Sequence, residues 1–237
     1  MNAILRSSIA LVLVASSLSA QQRNVAQKLG LPANAKLLIL HADDLGVAHS
    51  VNAASLEALS KGAISSASFM IPTPWISEVA EYARANPDAD LGIHLTLTSE
   101  WDTYRWGSVL SKEQVPSLLD SSGTLSRDGS NIAKNPKPAE IEMELRAQLD
   151  RARALGIRTT HADSHMGILF TTPELFAIYM KVARDYRIPF MAQRGDPRLS
   201  PGDASENVRQ LERLQRQLTT NVQESLALEI GLLKLRL

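Results

Sequence analysis

The chain of 237 residues contains no cysteine. Disulfides, thiolate metal ligands, a cysteine nucleophile and a lipid-modified cysteine anchor are therefore all excluded. Net charge is also lacking: 25 basic and 25 acidic residues cancel. No basic surplus favours nucleic acid or an anionic membrane as a partner. The nucleotide fingerprints are absent too, with neither a G-x-G-x-x-G nor a Walker loop. No apolar run is long enough to span a bilayer comfortably. The longest candidate is the short run Ile9–Val14, which follows Arg6 and precedes the small-residue stretch Ser16–Ala20. That arrangement reads as a signal peptide over residues 1–20, removed before Gln21, and predicts a periplasmic or secreted product with no membrane attachment after cleavage.

What remains is long enough for one domain with its own core. The patterns alternate between strand and helix. Strands are expected near 36–42, 64–71, 91–98, 158–163 and 188–192. Helices are expected near 51–61, from Thr73-Pro74 to 85, over 139–155, and from Thr172-Pro173 to 186, with a short one inside 22–35. Thr73 and Thr172, each followed by proline, are the expected N-caps. Gly62 and Gly156 suit helix stops. Ile141, Leu145, Leu149 and Ala152 fall on one face. This alternation means a mainly parallel sheet, and an open doubly wound sheet and a (β/α) barrel both fit it. Two stretches stand apart. Residues 99–138 form a long loop-rich insertion. From 203 to 237, Val208, Leu211, Leu214 or Leu218, Val222 and Leu226 recur at helical spacing, which predicts a helical tail without site residues, a truncated or divergent end of the 21–202 domain. Its apolar face would cover a sheet edge or pair with another chain, so an oligomer is left open.

The chemistry concentrates at strand ends. The apolar run Leu37–Leu40 reads as a buried strand that delivers His41-Ala42-Asp43-Asp44-Leu45-Gly46, and two later segments, Gly92-Ile93-His94-Leu95 and His161-Ala162-Asp163-Ser164-His165, have the same character. Carboxylates and imidazoles gathered at the C-terminal ends of strands can hold a metal ion, and a spare carboxylate can take a proton from bound water. Each residue also has a plainer reading. Asp44 could cap the following helix, His94 could be a satisfied core histidine, and Asp163 could orient an imidazole. Trp101 and Trp106, two of the three tryptophans, lie beside Tyr104 and Arg105 in the insertion after the His94 strand. They would border a substrate cleft, packing on sugar C–H faces, or else anchor the loop.

Five segments carry a resemblance: His41–Gly46, Ser50-Val51-Asn52, Gly62–Ser68, Gly92–Leu97 and Thr160–His165. In this order and spacing they resemble the YdjC-like carbohydrate deacetylases, the chitooligosaccharide deacetylase group, over residues 36–193. The resemblance implies a distorted or incomplete (β/α) barrel and a divalent metal ion, Mg2+ or Zn2+. It also implies removal of N-acetyl groups from an N-acetylated oligosaccharide. By position, Asp44, His94 and His165 would be the metal ligands and Asp43 the general base. The chain departs from the family pattern in two places. Met166-Gly167 stands where a further histidine is common, and no histidine follows His165. A catalytically impaired sugar-binding relative and another metal-dependent hydrolase on the same fold are the competing readings. The absence of a basic phosphate cradle near the motifs counts against a phosphoesterase.

Overall fold

The computed structural model describes residues 25–191, so the expected signal peptide and helical tail lie outside the described residues. The described residues divide into two compact units, 25–38 and 39–191. In the first, the helix expected within 22–35 is a single turn, α1 (Val25–Lys28). Everything that positions the site belongs to the second.

There, β1 (His41–Leu45), β2 (Ser66–Phe69), β3 (Leu91–Leu95) and β4 (Ala162–Ser164) form one parallel sheet in sequence order. The register pairs His41 with Ser66, Phe69 with Ile93, and His94 with Asp163. The crossovers carry α2 (His49–Ser60), α3 (Ile76–Ala85), α4 (Ser130–Lys134) and α5 (Pro138–Ala154). α6 (Pro173–Asp185) follows β4. A parallel bridge from Ala162 to Phe190 continues the order where the fifth strand is expected. Because parallel crossovers are right-handed, strands added always on the same side keep their helices on one face. That order is barrel-like. A doubly wound sheet reverses its order at a switch point, and no reversal occurs among the described residues.

The expected first strand shifts. Leu37, Leu38 and Ile39 are exposed at 48%, 48% and 73%, and β1 begins only at His41. The cause lies in the pairing. β2 starts at Ser66, so the ladder reaches no further back than Leu40, whose carbonyl accepts from Ser65 and Ser66 N–H. The third strand also stops early, at Leu95 rather than Thr98. Beyond it, Gln148 of α5 supplies both missing partners of Thr96: its amide oxygen accepts from Thr96 N at 3.0 Å and its amide nitrogen donates to Thr96 O at 2.7 Å. The cap expectations divide. Thr172 caps α6, accepting from Leu175 N. Thr73 caps nothing: its hydroxyl donates to Met70 O at 2.6 Å, and α3 begins two residues after Pro74.

The core lies between the sheet and its helices. Ile141, Leu145, Leu149 and Ala152 are buried as their spacing predicts, joined by Phe69, Ile93, Leu95, Phe176 and Tyr179. The insertion is ordered by packing. Trp106, Val115, Leu118, Leu125 and Ile132 are buried in it, and Arg105 clamps Asp120 and Leu125 O at 2.9 and 2.6 Å.

Candidate metal centre

The end of β1 is shaped by two residues. Asp44 has a φ of 60°, uncommon for any residue but glycine and best tolerated by Asp and Asn. Gly46 has a φ of 96°, and a Cβ there would lie 2.7 Å from Thr73 Oγ1 and 3.1 Å from Met70 O. This irregular backbone gives Asp43 and Asp44 their different directions, with a register break between Ala42 and Leu45. The helix-capping reading of Asp44 does not hold, because α2 has Ala48 at its N-cap and no side-chain cap bond. Asp43 is exposed, and its carboxylate has no hydrogen bond or ion pair with the described residues.

Asp44, His94 and His165 come together. One donor atom from each lies within 4.8 Å of the others. Asp44 Oδ1 is 3.1 Å from His165 Nδ1 and 3.4 Å from His94 Nε2. The His94 and His165 side chains are buried, whereas Asp44 keeps 42% of its side chain exposed. The site is thus dry on the imidazole side and open on the carboxylate side. Each histidine also has a second carboxylate behind it. His94 Nδ1 is 2.6 Å from Asp163 Oδ1, and His165 Nε2 is 3.0 Å from Glu100 Oε2. Hydrogen bonds to the rear nitrogens fix ring orientation and leave the front nitrogens facing Asp44 Oδ1, an O- and N-donor set that suits zinc or magnesium. His94 is therefore not a bland core histidine: its partners on both sides are acids.

The charges support one another. Burial opposes ionisation of Asp44, but the hydrogen bond and charge of His165, then the charge of His94, hold its carboxyl below the usual value. Burial likewise works against a charged His165, yet Asp44 and Glu100 together raise its pKa to about 9. In the metal-free protein His165 is thus an imidazolium, donating from both nitrogens to two carboxylates. Burial also disfavours ionised Asp163, but hydrogen bonds from His41 and His94 keep it well below the ordinary carboxylate range.

His161 goes elsewhere. It joins His41 and Asp163 in a second group, with Thr160 Oγ1 3.0 Å and Asp90 3.5 Å from its Nδ1. Its ring lies over Gly92, where a Cβ would come within 2.2 Å of Nε2. His41 bonds Ser66 and Ser68 at 2.9 and 3.0 Å, and Ser68 donates to Asp163 Oδ2 at 2.9 Å. This polar layer holds Asp163, and through it His94, from below. Sequence reasoning missed Glu100 and Ser68. Neither sits in a motif of acids and histidines, and only the fold brings them to the site.

The two tryptophans separate by burial. Trp106 is 4% exposed, its indole N–H donates to Thr98 O at 2.9 Å, and its ring centre is 6.2 Å from that of His165. It holds the loop against the site. Trp101 is 43% exposed and lies against Tyr104 and Trp106, with ring centres 5.6 and 6.2 Å away. Tyr104 in turn donates to Val47 O, just past β1, at 2.7 Å.

The family described as YdjC-like protein matches residues 37–233. A carbohydrate deacetylase of Brevibacillus brevis is 38% identical over 152 residues, 64% of this chain and 57% of that protein. One from Thermus thermophilus is 35% identical over 162 residues, 68% of this chain and 55% of that protein. A crystal structure from Enterococcus faecalis, described as a cellobiose-phosphate cleavage protein, superposes with a TM-score of 0.59 at 27% identity. It covers 74% of this chain and 63% of the other. The chain thus spans less than two thirds of the length of each of these relatives.

Proposed function

The chain belongs to the YdjC-like protein family, and on that premise we propose that it is a metal-dependent hydrolase that removes N-acetyl groups from amino-sugar oligosaccharides. The observation that carries the reading is the convergence of His94 Nε2 and His165 Nδ1 on Asp44 Oδ1. The curated relatives named carbohydrate deacetylase support it from outside. These three residues would hold the ion. A divalent cation there, zinc or magnesium, would polarise the acetyl carbonyl and lower the pKa of its bound water.

Asp43 is the proton acceptor in this reading. It adjoins the ligand Asp44, and no neighbour among the described residues occupies its carboxylate. Asp163 and Glu100 face the rear nitrogens of the two ligand histidines. Trp101 offers the exposed aromatic face for a sugar ring, while Trp106 and Tyr104 fix the loop that carries it. His161 is assigned to the polar layer under the site. A signal peptide over residues 1–20 would carry the protein to the periplasm or the medium.

The test is acetate release from N-acetylated chitooligosaccharides, run on metal-loaded, chelator-stripped and Asp43→Asn protein. Turnover is expected with metal and lost without it. Asp43→Asn is expected to keep the metal and lose turnover on the order of 10²–10⁴-fold. Undiminished turnover in the stripped protein or in Asp43→Asn sinks the assignment. Binding without any acetate release selects the sugar-binding alternative.

A further inference from the structure

Glu100 lies outside every segment that carries the family resemblance, yet its Oε2 is 3.0 Å from His165 Nε2. Its side chain is 25% exposed, and among the described residues no lysine or arginine pairs with it. A carboxylate drawn that far out of water is costly unless it is bonded to something that needs it. What it meets is the rear nitrogen of a histidine whose front nitrogen, Nδ1, faces Asp44 Oδ1 at 3.1 Å. The arrangement repeats the one at His94, where Asp163 takes the rear nitrogen and Nε2 faces the same Asp44 oxygen. Asp163 is fixed within the sheet by its strand and by Ser68. Glu100 instead sits in the loop after β3, directly before Trp101 and beside Ser99, whose hydroxyl accepts from Trp106 N at 3.0 Å.

We propose that Glu100 is a positioning residue. It holds the imidazole of His165 with its Nδ1 edge toward Asp44, and so ties the ligand set to the aromatic loop. This rests on the reading of Asp44, His94 and His165 as metal ligands. Without the acceptor at Nε2 the ring is free to turn about its Cβ–Cγ bond, and the ion loses a pre-set donor. Removing such an outer partner typically weakens metal binding about 10–100-fold.

Zinc affinity of the full chain, measured by competition with a chromophoric chelator, tests this without requiring catalysis. Glu100→Leu removes the acceptor at similar volume, and Glu100→Gln keeps an amide oxygen that can accept from Nε2–H. The leucine variant is expected to bind zinc about 10–100-fold more weakly than the wild type, and the glutamine variant to recover most of that loss. Melting of the metal-free forms reports folding, and Glu100→Ala carries the same prediction should leucine prevent it. Wild-type affinity in a folded leucine or alanine variant overturns the proposal, as does equal loss in the leucine and glutamine variants. If the wild type itself takes up neither zinc nor magnesium, the metal-site reading falls and the proposal with it.

Discussion

Asp44 sits in a left-handed conformation that costs a non-glycine residue of order 1–3 kcal/mol, and what it gains there is contact with both buried imidazoles. That exchange makes the metal-free site sensitive to pH in a defined direction. His165 is raised from 6.5 to about 9 in the folded chain. Its charge therefore stabilises the fold fully below about pH 6.5, and this contribution fades as the pH rises through about 9. Asp44 and Glu100 are lowered from 3.8 and 4.5. Their contributions are present above those values and are lost as the pH falls through the lower folded ones. Melting temperatures of the metal-free protein are accordingly expected to fall on the alkaline side between about pH 6.5 and 9, and His165→Asn is expected to flatten that limb. An identical alkaline limb in the two proteins contradicts the assignment.

Among the elements, α5 shows best what a sequence reveals and what it withholds. Its apolar face, Ile141, Leu145, Leu149 and Ala152, was legible because burial of such side chains follows helical spacing. Two polar residues of the same helix, Glu144 and Gln148, are also fully buried. Gln148 ends β3 by bonding Thr96, and Glu144 accepts from Val109 N and Leu110 N at 2.9 and 3.0 Å. Burial raises the Glu144 carboxyl despite those bonds. Glu144→Ala leaves two backbone donors and the Gln148 amide short of an acceptor. It is expected to cost about 2–3 kcal/mol, read as a lower denaturation midpoint, and an unchanged midpoint contradicts this role. Polar clamps of this kind escape a sequence reading because their partners are backbone atoms 34 to 52 residues away. The same holds for the start of β1. An apolar run such as Leu37–Ile39 has strand character, but only the neighbour's length decides where the ladder begins. The site residues were more legible, since Asp44, His94 and His165 lie in segments of acids and histidines at or just past the ends of β1, β3 and β4. Glu100 was not, because nothing local separates it from an ordinary loop acid.

For the whole molecule, the decisive feature is the order of the strands. Four parallel strands in sequence order bring the β1, β3 and β4 termini to one end of the sheet, so residues 121 positions apart can meet at Asp44 and His165. The chain spans 57% of its relative from Brevibacillus brevis, but all three proposed ligands lie within the described residues. Metal uptake is therefore expected of this chain whatever its activity. Elemental analysis of the purified protein, wild type beside His94→Ala, tests this central claim most directly. One tightly held divalent ion per wild-type chain and none in His94→Ala is the predicted result. A wild type without stoichiometric metal, or a folded His94→Ala protein that retains its full complement, would contradict it.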